Sequence, residues 1–141
     1  MSVIVFDYDD TLTLDTEGKK KSLFVEIFQH IPRAEVIART FVQSHPGTPR
    51  REMIGGILQA LEQQGLVVDA MSQVEEYLER FGRVVEDMAV LSPLRAGVEE
   101  MLPLLAAKHS LYLNSNYPQE ALSAIVRRRK WVHLFKGIYG S

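Results

Sequence analysis

The chain has 141 residues, 46% of them hydrophobic, which is the size and apolar content of one buried core. A formal net charge of -2 supplies no basic field for duplex nucleic acid or an anionic membrane surface, so neither is expected as a partner. Disulfides and thiolate metal sites are excluded because there is no cysteine, which suits a reducing compartment, with the cytoplasm as the default location.

Val3 to Phe6 is a short run of β-branched and aromatic residues leading straight into acids. It is far shorter than the roughly 18 apolar residues of a membrane helix. Its uniform apolarity predicts a strand buried on both faces of a parallel sheet. Between Glu17 and Ile31, Leu23, Ile27 and Ile31, with Phe24 and Phe28 beside them, recur at helical spacing until Pro32. Further helices are predicted around Ala34 to Gln43 and from Arg50 to Gln64, separated by the breaker-rich His45-Pro-Gly-Thr-Pro49. The pair Gly55-Gly56 either weakens the second of these or lets a neighbour pack closely. Ser72-x-x-Glu75 reads as a capping box opening a fourth helix, whose inner face is Val74, Tyr77, Leu78, Phe81 and Val85.

Beyond Pro93, Val98, Met101, Leu102 and Leu105 predict a helix, Leu111 to Leu113 a strand ending at Asn114-Ser-Asn116, and Leu122, Ile125 and Val126 a helix behind Pro118. Arg127-Arg-Arg-Lys130 reads as its basic carboxyl end, without a further role. Gly137 to Gly140 predicts a third strand. The order is α/β with an all-helical insert after the first strand, giving a core of residues 1–15 and 89–141 and an inserted block of 16–88.

The chemistry concentrates in Asp7-Tyr-Asp-Asp-Thr-Leu-Thr13, which has three carboxylates in four residues directly after a strand. Ligands of open α/β sheets bind outside the carboxyl ends of strands. One Asp there would be an ordinary turn residue, but clustered like charges repel unless a cation or protonation relieves them, and Mg²⁺ is the natural relief. Ser115, flanked by Asn114 and Asn116, follows the second strand in the same way. Alone it would be a helix cap; paired with the acidic loop, its hydroxyl and the next N–H groups become candidates for phosphate oxygens.

The segment from Val3 to Thr13 resembles the first motif of the haloacid dehalogenase (HAD) superfamily, D-x-D-x-[TV]-[LV], and Leu111 to Asn116 its second, a hydrophobic strand ending in Ser or Thr. Leu91 to Val98 resembles the stretch that precedes the second motif. The insert is similar in size to the helical cap of the phosphoglycolate phosphatase-like subgroup. The resemblance implies a Rossmann-like core, with a parallel sheet between two helical layers, and a Mg²⁺-dependent phosphatase of small phosphorylated metabolites. Asp7 would be the nucleophile and Asp9 the acid and base. The Asp7 carboxylate and Asp9 carbonyl would hold the metal. Asp10 would give a backbone N–H to phosphate beside Ser115 and Asn116, and Thr11 would pin the loop. Among the basic residues of the insert, Lys19-Lys-Lys21 and Arg50-Arg51, Lys20 and Arg50 are the candidate substrate contacts, although any one such charge is more often part of a solvated face. The family's third and fourth motifs, a Lys and an acidic pair, follow the strand that here is Gly137 to Gly140, and the chain stops at Ser141. The expectation is therefore a core truncated at its carboxyl end. The alternative reading is a catalytically weak or inactive protein that binds phosphate or a protein partner. A sheet of about three strands would leave one side of the first strand unpaired, through which two copies could dimerise.

Overall fold

Val3–Phe6 (β1) and Ser110–Asn114 (β2) pair in parallel, with Val3 opposite Ser110 and Phe6 opposite Leu113, in the computed structural model, which describes residues 1–141. Gly137–Tyr139 (β3) adds to the far side of β2, again in parallel, in the sheet order β1-β2-β3. The six α-helices are Thr16–Glu26 (α1), Ala34–Ser44 (α2), Arg50–Gln63 (α3), Val74–Leu91 (α4), Val98–Lys108 (α5) and Gln119–Arg128 (α6). This is the expected α/β architecture with a parallel sheet.

The chain forms two compact units, one of Met1–Glu17 with Glu86–Ser141 and one of Gly18–Val85. In the first, α5 packs on β2 and α6 on β3. Leu102, Leu111, Leu113, Leu122 and Ile125 belong to its core, all of them inaccessible to solvent. Two-sided burial of β1 does not hold: Val3 is 66% and Val5 61% exposed, while Ile4 and Phe6 are half-buried. The physical reason is position, since β1 is an edge strand that pairs with β2 alone.

In the second unit, α3 buries Met53, Ile54, Ile57, Leu58 and Leu61, and α4 contributes Val74, Tyr77, Phe81 and Val85 at helical spacing. Phe24 stacks on Phe81 at 4.1 Å between ring centroids and Phe28 on Tyr77 at 4.7 Å. Gly56 is the point of close approach. A Cβ there would stand 2.1 Å from the Phe41 ring, so α2 and α3 meet with an aromatic edge lying on bare backbone. The capping box does not form: Ser72 lies in a 3-10 turn, Ala70–Gln73, and its hydroxyl donates to the Asp69 carbonyl at 2.8 Å. The turn consumes the Ser that would otherwise have capped α4.

Candidate active site

The loop after β1 is fastened on two sides. Leu12 and Thr13 amides turn back to the Tyr8 carbonyl, at 3.0 and 3.4 Å. Thr13 also donates its hydroxyl to that carbonyl at 3.3 Å and lies 2.9 Å from the Thr16 hydroxyl. Both threonines are inaccessible to solvent, whereas Thr11 is exposed, so the pinning expected of Thr11 is done by Thr13 and Thr16. From the other side, Leu14 donates to the Pro93 carbonyl and Arg95 to that of Leu12 through its amide. The Arg95 guanidinium adds two bonds to the Asp10 carbonyl, at 2.9 and 2.6 Å.

On this frame the three carboxylates part company. Asp7 is exposed, and its Oδ1 accepts the Tyr8 amide at 2.8 Å. It lines a groove of about 300 Å³ with Val5, Phe6, Asn114, Ser115 and Asn116, at the carboxyl ends of β1 and β2. Asp9 is only 8% exposed, and its Oδ1 accepts a 2.8 Å hydrogen bond from the Tyr117 hydroxyl. Asp10 has left-handed backbone, φ +58°, and its Oδ1 accepts the Thr16 amide at 2.8 Å, which satisfies a donor that the first turn of α1 would leave open. Its own N–H is directed to the Thr13 and Thr16 hydroxyls, at 3.2 and 3.3 Å. Asp10 therefore serves the loop and α1, and its amide is not presented to a phosphate as expected.

Ser115 is 7% exposed. Its amide donates to the Tyr139 carbonyl at 2.9 Å, tying the loop after β2 to β3, and its Oγ accepts the Tyr117 amide at 3.4 Å. The hydroxyl proton remains to be donated. Asn116 is exposed on the same groove. Gly140 is needed close by, because a Cβ would lie 2.5 Å from the Tyr117 carbonyl, against which the chain closes with a 2.8 Å bond from Ser141. Thus Asp7, Ser115 and Asn116 share one groove, whereas Asp9 is buried and does not line it. Lys20 and Arg50 belong to the helical unit, where Lys20 is half-buried on α1 and the Arg50 guanidinium sits 4.9 Å above the Phe81 ring.

Three residues escape sequence reasoning. Tyr117 holds Asp9; the available signal is a large aromatic inside the otherwise polar Asn114-Ser-Asn-Tyr-Pro118. Arg95 holds the Asp10 carbonyl and is a lone base in the segment before α5. Arg129, from the basic run, donates to the Ala89 and Ser92 carbonyls at 2.9 and 2.6 Å and to the Tyr8 hydroxyl at 3.1 Å. Burial raises the hydroxyl of Tyr8 above its ordinary titration range, with Arg129 partly opposing it. Burial raises that of Tyr117 further, and the Asp9 carboxylate adds to the effect. Both phenols remain donors at neutral pH.

The α/β core carries an acidic loop and a serine loop at the ends of adjacent parallel strands. No protein-family model matches the chain, and no curated protein does. Solved structures do match. A provisionally assigned beta-phosphoglucomutase from Thermotoga maritima superposes with TM-score 0.71 and 23% identity, over 99% of this chain and 61% of its own. A phosphoglycolate phosphatase assigned in Haemophilus somnus gives 0.64 and 20%, over 99% and 62%. A provisionally assigned HAD hydrolase from Bacillus subtilis, described as bound to magnesium, gives 0.60 and 20%, over 99% and 65%. The chain has the fold of the HAD-type hydrolases and spans about three-fifths of the length of these solved chains.

Proposed function

We propose that the chain is a Mg²⁺-dependent phosphohydrolase of small phosphorylated metabolites. The observation that carries this reading is the groove in which Asp7 faces Ser115 and Asn116 at the ends of neighbouring strands. In the first step an Asp7 oxygen attacks phosphorus, the bond from phosphorus to the leaving oxygen breaks, and Asp9 gives that oxygen its proton. In the second, Asp9 takes a proton from water, the water oxygen attacks the aspartyl-phosphate, and phosphate leaves with Asp7 restored. Ser115 donates its hydroxyl to a phosphoryl oxygen, and Asn116 adds a donor from the exposed side.

Mg²⁺ asks for one or two carboxylates and keeps several waters, so it does not require a cluster of three or more acidic or histidine ligands, and none is present. The Asp7 carboxylate and the Asp9 carbonyl are the ligands on offer, and the ion, when bound, supplies neutralisation of phosphoryl charge. Lys20 and Arg50 are the proposed substrate contacts of the helical unit, read as the cap. The test is release of phosphate from an aryl phosphate with and without Mg²⁺, beside Asp7→Asn. Metal-dependent turnover that falls on the order of a thousandfold in the variant supports the reading. Turnover unchanged by Asp7→Asn, or no turnover, refutes it.

A second reading, a binding protein that pairs with another copy of itself, is favoured by the unpaired edge of β1 with Val3 and Val5 exposed beside it. Light scattering separates the cases, with Val5→Lys expected to convert a dimer to a monomer. A wild type that is monomeric at high concentration excludes self-pairing.

A further inference from the structure

We infer that Tyr117 is a positioning residue for Asp9, fixing the carboxylate that exchanges the proton with the leaving oxygen. This rests on the phosphohydrolase reading of the same loop. Tyr117 has no solvent exposure, and its hydroxyl donates to Asp9 Oδ1 at 2.8 Å. A hydroxyl can position a partner only if its own ring is fixed, and this one is held through its backbone and by one aromatic neighbour. Its amide donates to the Ser115 hydroxyl oxygen, and its carbonyl accepts the Ser141 amide. The ring meets Tyr8 edge to face, with centroids 5.9 Å apart and planes at 83°. Tyr8 in turn is anchored at its hydroxyl, which donates to the Ala89 carbonyl at 2.6 Å and accepts from Arg129. The line of restraint therefore runs from Arg129 through Tyr8 and Tyr117 to Asp9.

Proton exchange with a leaving oxygen needs the carboxylate within hydrogen-bond reach, and a rotated side chain loses that reach without losing the carboxylate. Without that hydroxyl, Asp9 would keep its carboxylate but lose one of the contacts that fix its place. The loss should fall on substrates whose leaving group needs a proton and spare those whose leaving group departs as a stable anion.

The experiment compares the full chain with Tyr117→Phe, which keeps the ring and its contact with Tyr8, on 4-nitrophenyl phosphate and on an alkyl phosphate such as glycerol phosphate. The expected result is a fall in kcat of about tenfold or more on the alkyl ester and of less than about threefold on the aryl ester, with KM within about twofold on both. An equal fall on both esters in Tyr117→Phe, a change confined to KM, or no change overturns the inference. Absence of any Asp7-dependent turnover in the wild type would instead sink the phosphohydrolase reading. The positional claim is still decided then by crystal structures of wild type and Tyr117→Phe: a rotated Asp9 side chain supports it, and an unmoved one overturns it.

Discussion

Replacing Asp10 separates a loop-building carboxylate from the proposed nucleophile, Asp7. In the structure Asp10 meets two local demands, a left-handed backbone at φ +58° and an acceptor for the Thr16 amide at 2.8 Å. Losing a cap of this kind costs about 1 kcal/mol, and an alanine in left-handed backbone costs roughly a further 1 kcal/mol relative to residues that tolerate it. Asp10→Ala should therefore lower stability by about 2 kcal/mol. Asp10→Gly loses the cap but relieves the backbone, and should stay within about 1 kcal/mol of wild type. Asp10→Asn keeps both the left-handed tolerance and an oxygen for Thr16, losing only the charge near the start of α1, about 0.5 kcal/mol. Urea denaturation measures the series, and phosphate release by the folded variants should stay within about threefold of wild type. An order in which Gly is worse than Ala, or an Asn variant as impaired in turnover as Asp7→Asn, would refute the assignment.

Arg129→Met removes three charge-assisted hydrogen bonds and should cost about 3 kcal/mol in urea unfolding; a loss below about 1 kcal/mol would mean that the carbonyls of Ala89 and Ser92 find water instead. Gly56→Ala would gain about 1 kcal/mol from helix propensity alone, but the clash with Phe41 should reverse the sign to a net loss of about 1 kcal/mol. In a Phe41→Leu background the same change should stabilise, and a stabilising Gly56→Ala in the wild type would refute the close approach. Tyr8 and Tyr117 titrate above the ordinary 10.0, so the folded chain keeps protons that the unfolded chain releases. Their contribution to stability is fully present below pH 10 and is lost as pH rises above it, with a slope of up to about 1.4 kcal/mol per pH unit for each phenol. Tyr117→Phe should make that alkaline fall shallower, and an unchanged slope would show that the phenol titrates normally.

The parts of this fold that were legible in the sequence are those whose signal is local. Val3 to Phe6, Leu111 to Leu113 and Gly137 to Gly140 read as strands because each is a short apolar or β-favouring run between polar residues, and all three are strands. The unpaired side of β1 followed from the strand count, but the exposure of Val3 and Val5 was not legible: Val-Ile-Val-Phe has no alternation to reveal that one face stays in water. The same limit hides Arg129. Arg127, Arg128 and Arg129 are consecutive and chemically identical, yet Arg128 pairs with Glu86 and Asp87 while Arg129 turns inward to Ala89, Ser92 and Tyr8. A charge run carries no information about which member turns in. Tyr117 is hidden for a related reason, since its partner is 108 residues away.

The acidic loop shows how the close spacing of like charges is made tolerable. Three carboxylates within four residues repel, and a shared cation is one relief that the spacing suggests. The fold provides another, which is dispersal: Asp7 faces the groove, Asp9 is received by a phenol in the core, and Asp10 is received by the first turn of α1. Under the proposed function, dispersal would also divide the labour, with an exposed carboxylate able to meet phosphorus and a buried one suited to exchanging a proton at a fixed place. Asp7→Asn and Asp10→Asn delete the same charge three residues apart, and they are expected to diverge by orders of magnitude in turnover because only the first deletion falls in the groove.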